Sequence, residues 1–415
     1  AGSIYQVEAN AAGQSDKLVV NGTATLNGGT VSVLAESGAY NTSTTFTILT
    51  AGSVTGSFSS VTSNLAFLTP SLNYDANDVY LILTRNSTGF TDVALTRNQY
   101  SVAGGLDRIS SAVSGDMSTV MIGLLGLSDA GARSAYDQTG GLTHVALAEA
   151  STFAFQQYLT VLSDRLRGFG QGSPAFAGLT MLAALDNTAS DASRISASGQ
   201  GFWMKAHGNT GSRNGNDISS KYGYLTGGMV LGYDRQIGQK GSAGVSAGYT
   251  AADVSMDGLD DSARVSVYQA AVYGGYQGAP WYVNGVLAYG YNRYDTTRRI
   301  IFGGIDRSAD ATYTGHTVSG YAEAGYNLDV KTIRIIPLAS LAAGYLKRNG
   351  FTESGAGALN LDVDQEESRS LASSLGVRVK KDFTTVYGAV TPEASLRWQH
   401  EFLDDVHSID AAFSV

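Results

Sequence analysis

The sequence predicts a mostly β protein whose C-terminal half is an antiparallel transmembrane β-barrel, and three observations carry that prediction. From about Gly201 to Trp398, apolar side chains recur at every second position while charges keep to the other parity. The connections between these runs alternate in length, short then long. No window reaches about 18 uninterrupted apolar residues, and the mean hydropathy of -0.04 is far too polar for a bundle of membrane helices, so a spanning form has to be a barrel.

Composition agrees. The 415 residues include 51 Gly, 23 Tyr and only 5 Pro, as expected when aromatics gather at membrane interfaces and small residues line crowded walls. Absence of Cys fits an exported protein. A net charge of -9 argues against a nucleic-acid partner. The chain opens on Ala1 with no basic or apolar leader, so it reads as a mature fragment whose export signal lies upstream.

Residues 1 to about 90 form short β-prone runs closed by pairs such as Asn21-Gly22 and Gly28-Gly29. Such runs fit hairpins, rungs of a β-solenoid, or a β-sandwich, and their irregular period does not separate these. The character changes near Thr84-Arg85-Asn86. From Gln99 to about Leu185 apolar residues fall at helical spacing: Ile109, Val113 and Met117, then Met121, Leu124 and Leu125. A second helical stretch, about His144 to Arg167, would extend roughly 36 Å, enough to traverse a bilayer core. Its Ser151, Thr152, Gln156, Gln157, Thr160, Ser163, Asp164, Arg165 and Arg167 leave no continuous apolar surface. It either crosses between polar walls or belongs to a small soluble bundle.

In the period-two region, Trp281, Val283, Leu287, Tyr289 and Tyr291 share one face of a strand, and Tyr282, Asn284, Ala288 and Asn292 share the other. For a strand tilted by about 40°, the bounding aromatics span roughly 20 to 25 Å of membrane height. The same rule places Leu231, Val245, Tyr249, Tyr268, Val318, Leu341, Leu375, Val390, Leu396 and Trp398 outward. It turns Ser246, Thr250, Ser319, Glu323, Arg378, Glu393 and Arg397 inward. Short connections near 238–241, 278–280, 329–332 and 381–385 alternate with long polar ones near 208–220, 253–262, 292–311 and 347–369, the pattern of inner turns and surface loops in outer-membrane barrels. Nine strands and the start of a tenth, at about His407 to Val415, can be counted. A ragged count leaves an open edge in lipid, so the sequence reads as incomplete at its C-terminus.

These residues resemble the C-terminal part of a type V autotransporter from a Gram-negative bacterium over nearly the whole chain. Asp16 to Leu26 and Asp78 to Asn86 are similar to the last rungs of a passenger β-helix, the autochaperone; Leu142 to Arg167 is similar to the helical linker; and Gly201 to Gly208 is similar to the first barrel strand. The most specific match is Phe351-Thr352-Glu353-Ser354-Gly355-Ala356-Gly357-Ala358-Leu359-Asn360-Leu361 together with Leu396 to Phe402. The resemblance implies a right-handed β-helix end over residues 1-92, a linker over 93-198 with a helix threading the pore, and a barrel over 199-415, twelve-stranded in the family. It also implies an outer-membrane location with the N-terminal part at the cell surface. The implied partners are outer-membrane lipid, the barrel-assembly machinery, periplasmic chaperones and the protein's own passenger. Two departures stand out: the chain stops at Ser414-Val415 without a terminal aromatic, and Gln138 to Leu142 lacks the Glu that often precedes the linker helix.

Catalytic chemistry is sparse. Gly244-Val245-Ser246-Ala247-Gly248 fits the G-x-S-x-G elbow, which requires a strand-turn-helix, whereas the alternation here runs unbroken through it. His144, His207, His316, His400 and His407 lack metal-ligand spacing and are expected in solvated loops or lining a pore. Asp362, Asp364, Glu366 and Glu367 could hold Ca²⁺, but a solvated loop accounts for them better. Asp164 or Glu149 are weak candidates for linker self-cleavage. No catalytic, cofactor-binding or metal residue is therefore assigned, and the expected function is a non-enzymatic translocator and anchor for secretion of an N-terminal passenger. The alternatives are a porin-like channel and an outer-membrane hydrolase with a loop-borne active site.

Overall fold

The computed structural model describes residues 2–110, 113–168, 201–215, 221–385, 388–403 and 409–414. Its N-terminal part is built from β1 (Ile4–Ala9), β2 (Leu18–Asn27), β3 (Thr30–Ala35), β4 (Ser43–Ser57), β5 (Ser60–Ser63), β6 (Leu68–Tyr74) and β7 (Asp78–Arg85). β1, β3 and β5 pair in parallel, with Ile4 opposite Thr30 and Thr30 opposite Ser60. β2 and β4 form a second parallel pair, with Leu18 opposite Leu49. Each successive partner thus lies one turn of chain further on, which makes these strands solenoid rungs and settles the hairpin and sandwich alternatives. Alternate residues Val7, Val31 and Val33 fill the inside with Phe46, Ile48, Leu81 and Leu83. The stack finishes as the antiparallel run β4-β7-β6.

Helices α1 (Arg97–Ile109), α2 (Gly115–Leu125), α3 (Asp129–Thr139) and α4 (Leu142–Gly168) follow. α1 starts at a capping box in which the Thr96 hydroxyl accepts the Gln99 amide at 3.2 Å and the Gln99 side chain accepts the Thr96 amide. The spacing read as one run through Ile109, Val113 and Met117 is divided between α1 and α2. The stretch expected to be helical as far as Leu185 lies outside the described residues beyond 168, as does all of the remaining linker up to 198. No helix among the described residues is long and apolar enough to cross a membrane.

The wall comprises β8 (Gly201–Arg213), β9 (Tyr222–Ile237), β10 (Gly241–Met256), β11 (Ser262–Gln277), β12 (Trp281–Phe302) and β13 (Ile305–Tyr326). A short β14 (Leu328–Val330) then folds onto β15 (Ile333–Arg348). After β16 (Phe351–Thr352) and β17 (Leu361–Val363), the wall resumes with β18 (Glu366–Lys381) and, past the hairpin β19 (Phe383–Thr385) and β20 (Gly388–Val390), ends at β21 (Glu393–Glu401). β8, β9, β10, β11, β12, β13, β15, β18 and β21 are neighbours in that order, every pair antiparallel. Leu231, Val283, Leu341 and Leu396 are 53%, 44%, 48% and 80% exposed, whereas Ser246, Thr250, Ser319, Glu323 and Arg378 on the opposite parity are buried. Exposed apolar side chains around a polar interior are the inverse of a soluble sandwich and the form lipid requires.

Four expectations are corrected. Residues 292–311 are not a loop. β12 and β13 run on as a hairpin to the pair Gly303-Gly304, whose φ values of 52° and 85° suit the tight turn that only glycine adopts easily. The sequence there is polar on its outer face, but Tyr294, Arg298, Ile300 and Phe302 are buried on the inner one. The turn expected at 381–385 extends through 382–392, because β19 and β20, with Val390, form their own hairpin rather than continuing β21. The expected tenth wall strand yields, among the described residues, only β22 (Ala411–Phe413), which pairs with β17 in a small rim sheet. His316 and His400 face outward, since His316 pairs with Tyr291 and His400 stacks on Trp398 at 5.8 Å, so neither is in a loop or the pore.

Placing a cation on the outer face should be costly. Leu287→Arg, midway along the apolar stretch of β12 between Trp281 and Tyr291, is expected to lower the unfolding free energy in phospholipid vesicles by about 2 to 4 kcal/mol, read from urea titration of tryptophan fluorescence.

Candidate functional site: a polar lumen around a helix

α4 is the helix expected to need polar walls, and it has them. At about 1.5 Å per residue its 27 residues are roughly 40 Å long, and it lies against β9, β10, β11 and β12 inside the wall. It is therefore not part of a soluble bundle. Two aromatic side chains fix its depth. Phe155 and Tyr158 press on Gly290 and Gly248, where an added Cβ would come within 2.7 and 2.9 Å of the rings. Any larger residue at those wall positions forces the helix to shift.

The charged groups of α4 and most of its polar ones are matched along its length. Near the middle, the Tyr158 hydroxyl shares a 2.7 Å hydrogen bond with Ser246, Tyr294 donates to Ser151 at 3.0 Å, and Gln157 donates to Thr226 at 3.1 Å and meets His207 at 3.1 Å. At the end near the short turns, Arg165 forms a two-pronged pair with buried Asp234 at 2.7 and 2.9 Å, and Arg167 donates to Glu323 at 3.1 Å. Glu323 also accepts from Arg397, Tyr282 and Tyr321 at 2.9, 2.9 and 2.7 Å, with Arg378 at 3.8 Å. Cations in the last turn of a helix also meet its negative dipole end, so both arginines are doubly favoured there.

The long-loop end is locked differently. Glu353 is completely buried and receives Arg298 through two bonds of 2.7 and 2.5 Å, His144 at 2.8 Å and the Leu361 amide at 2.9 Å. Arg298 comes from the tip of the β12-β13 hairpin and also donates to the Gln138 carbonyl at 2.6 Å. Arg348 holds the His144 carbonyl at 2.8 Å and pairs with Glu366. One carboxylate thus ties the hairpin, the start of α4 and the segment 351–361 together. Burial alone would raise its pKa, but the Arg298 and His144 hydrogen bonds outweigh that and hold it down at about 2.

Other candidate residues are accounted for. Ser246 sits mid-strand in β10 bonded to Tyr158, so the G-x-S-x-G match forms no elbow. His144 is fully buried rather than solvated, His207 does line the lumen, and His407 lies outside the described residues. Glu149 is paired with Tyr222 and Arg213, and Asp164 with Arg167 and Lys205. These two carboxylates are about 22 Å apart along α4 and cannot act together. The acidic run is dispersed: Asp362 accepts from Thr352 at 3.0 Å, Glu366 pairs with Arg348 and Glu367 with Arg369 at 3.6 Å. Sequence reasoning missed Asp234, Arg298 and Glu353 as a set. Glu353 lay inside the most specific motif, but its partner Arg298 was hidden in a stretch read as loop.

A wall greasy outside and charged inside, filled by a helix that lipid would reject, defines an outer-membrane protein of the translocator class. The family comparison agrees. Residues 202–415 match the autotransporter beta-domain family, and the chain belongs to it. It is 28% identical over 431 residues, 97% of its own length, to an extracellular serine protease of Serratia marcescens, and spans 41% of that relative. Esterase EstA of Pseudomonas aeruginosa is 28% identical over 159 residues, covering 37% of this chain and 25% of the esterase. The translocator domain of autotransporter NalP from Neisseria meningitidis superposes with a TM-score of 0.44 at 15% identity, covering 57% of this chain and 82% of that one. The chain thus carries the translocator β-domain of a Gram-negative outer-membrane protein.

Removing the charge at the rim should loosen it. Glu353→Gln leaves Arg298 buried beside a neutral amide and is expected to cost about 3 to 5 kcal/mol, measured by denaturant unfolding. With a folded pKa below the unfolded value of 4.5, the Glu353 contribution is fully present above about pH 4.5 and is lost as pH falls towards 2. The wild type should therefore lose about 3 kcal/mol of rim stability across that window, and Glu353→Gln should show a flatter profile, both followed by hydrogen exchange at residues 351–361.

Proposed function

We propose that the chain works as three parts: residues 1-92 as the passenger end that folds first outside and templates further rungs, 93-198 as the linker, and 199-415 as the barrel. The observation supporting this most strongly is α4, whose every charged side chain meets a partner in the lumen. Such a helix marks the route by which the polypeptide leads outward to the solenoid. A stable terminal rung lowers the entropy cost of stacking the next, so folding at the surface drives translocation forward. In this reading the barrel-assembly machinery and periplasmic chaperones deliver and insert the wall. The cargo is the part that varies; by analogy with the Serratia relative a secreted hydrolase is one candidate, while the residues described here act without catalysis.

A porin-like channel is disfavoured because α4 occupies the lumen, and an esterase elbow at Ser246 because that side chain is held by Tyr158 within the wall. Planar-bilayer recording distinguishes the channel reading. Deletion of residues 142–168 should raise single-channel conductance several-fold over the intact protein, and an intact protein that conducts as freely as the deletion would refute the helix-filled translocator. Separately, Glu323→Gln combined with Asp234→Asn should reduce passenger at the cell surface at least fivefold, scored by protease accessibility on whole cells.

A further inference from the structure

From Val120 onwards α2 carries no polar side chain. Val120, Met121, Ile122, Gly123, Leu124 and Leu125 follow without a break, and all but Ile122 are buried, so this helix is stable only where other elements cover it. Two bodies do so. The solenoid meets its C-terminal end, where Gly126 lies so close to the Gly38 carbonyl and the Tyr40 ring that no Cβ fits between them. One turn earlier the tip of the β12-β13 hairpin crosses it, and a Cβ on Gly123 would come within 3.0 Å of the Gly303 carbonyl and 3.3 Å of Ile305. Phe302, Ile305, Ala358 and Leu359 of the barrel rim belong to the same buried cluster as α2. Charge pins the other end: Asp116 receives both arms of the Arg307 guanidinium at 2.7 and 2.6 Å and the Ala358 amide at 2.7 Å, while Arg307 also donates to the Ala356 carbonyl at 2.8 Å. Asp116 stands in the first turn of α2, where the helix dipole favours an acid, so the fork also fixes which way the helix points.

We propose that the hairpin tip and the rim segment 356–359 form a receptor for α2, which catches the linker as it leaves the lumen and stops it from sliding back, so that export runs one way. The inference rests on the translocator reading. Before α2 arrives, Phe302, Ile305 and Leu359 lack the helix that buries them, and α2 carries an uncovered apolar surface of its own; joining the two removes both from water. Once seated, α2 is packed with α1, α3 and the solenoid in one core. Packed helices lie about 8 to 10 Å apart, so this unit is wider than the roughly 10 to 12 Å that a single helix such as α4 occupies. It cannot re-enter the lumen without unfolding. The receptor fits a short apolar helix with an acid in its first turn and a glycine in its third, because a side chain at 123 would hold the helix off the Gly303 carbonyl.

The test uses the full-length protein with its passenger. Hydrogen exchange across residues 117–125 is first followed by mass spectrometry on protein purified in detergent, a measurement that does not depend on export. Asp116→Arg and Arg307→Asp each set like charges face to face and should speed exchange there about fivefold or more, because exchange follows the population of the opened form. Combining the two reversals should recover most of the lost protection, an outcome that mere damage to either element would not produce. Gly123→Val, which thickens α2 and lies outside the wall, should open the seat in the same way and should not be recovered by the charge exchange. On whole cells, pulse-labelled passenger should then reach the surface several-fold more slowly in each single variant than in the wild type. Wild-type exchange in both single reversals, or a combined variant no better protected than the singles, would overturn the receptor; faster exchange with unchanged export kinetics would overturn the catch. A wild-type passenger that never reaches the surface would sink the translocator reading instead, with the exchange comparison still standing.

Discussion

A charged helix cannot be left in hydrocarbon, and most of this structure is organised by that constraint. Asp164, Arg165 and Arg167 sit within a helix long enough to span a bilayer, at a cost of several kcal/mol per charge if lipid surrounded it. The wall supplies Asp234, Glu323 and a lining of hydroxyls and amides instead. Supplying them forces the opposite parity of every wall strand to carry the apolar load, which is why inward polarity and outward grease occur together. Wall and helix are consequently two halves of one electrostatic arrangement.

The two ends of that arrangement differ in kind. Near the short turns, arginines converge on Glu323 with Tyr282 and Tyr321 completing its shell, a compact cluster around one acid. At the rim, Glu353 draws its partners from distant parts of the sequence, and its neighbourhood continues into the apolar core. Ile300, Phe302 and Ile305 from the hairpin, Ala358 and Leu359 from the rim segment, helices α1 to α3 and the solenoid interior all belong to one buried cluster. Solenoid, linker and barrel rim are thereby joined by packing as well as by chain connection.

Much of this was legible beforehand, and each failure has a physical cause. Lipid-facing residues such as Leu231 and Val283 were found because a strand alternates strictly and the membrane rewards one parity only. The polar surface of α4 announced its polar surroundings for the same reason. The β12-β13 hairpin was missed because, above the membrane, both parities can be polar: Arg293, Asp295 and Arg299 erase the alternation although Tyr294, Arg298 and Ile300 beneath them are buried. The Glu353 cluster was invisible since its members are over 200 residues apart, from His144 to Glu353. The solenoid could not be separated from a sandwich because parallel partners are set by long-range stacking, which short β-prone runs do not encode.

The shared rim cluster also bears on mechanics. A tug on the solenoid would pass first to the packed interface among α1, α2, α3 and the hairpin, and then to the strands of the wall. Strands loaded along their axes must break many ladder bonds at once rather than unzip one by one. A solenoid packed in this way would hand a load to the rim through a whole apolar interface rather than through a single backbone connection.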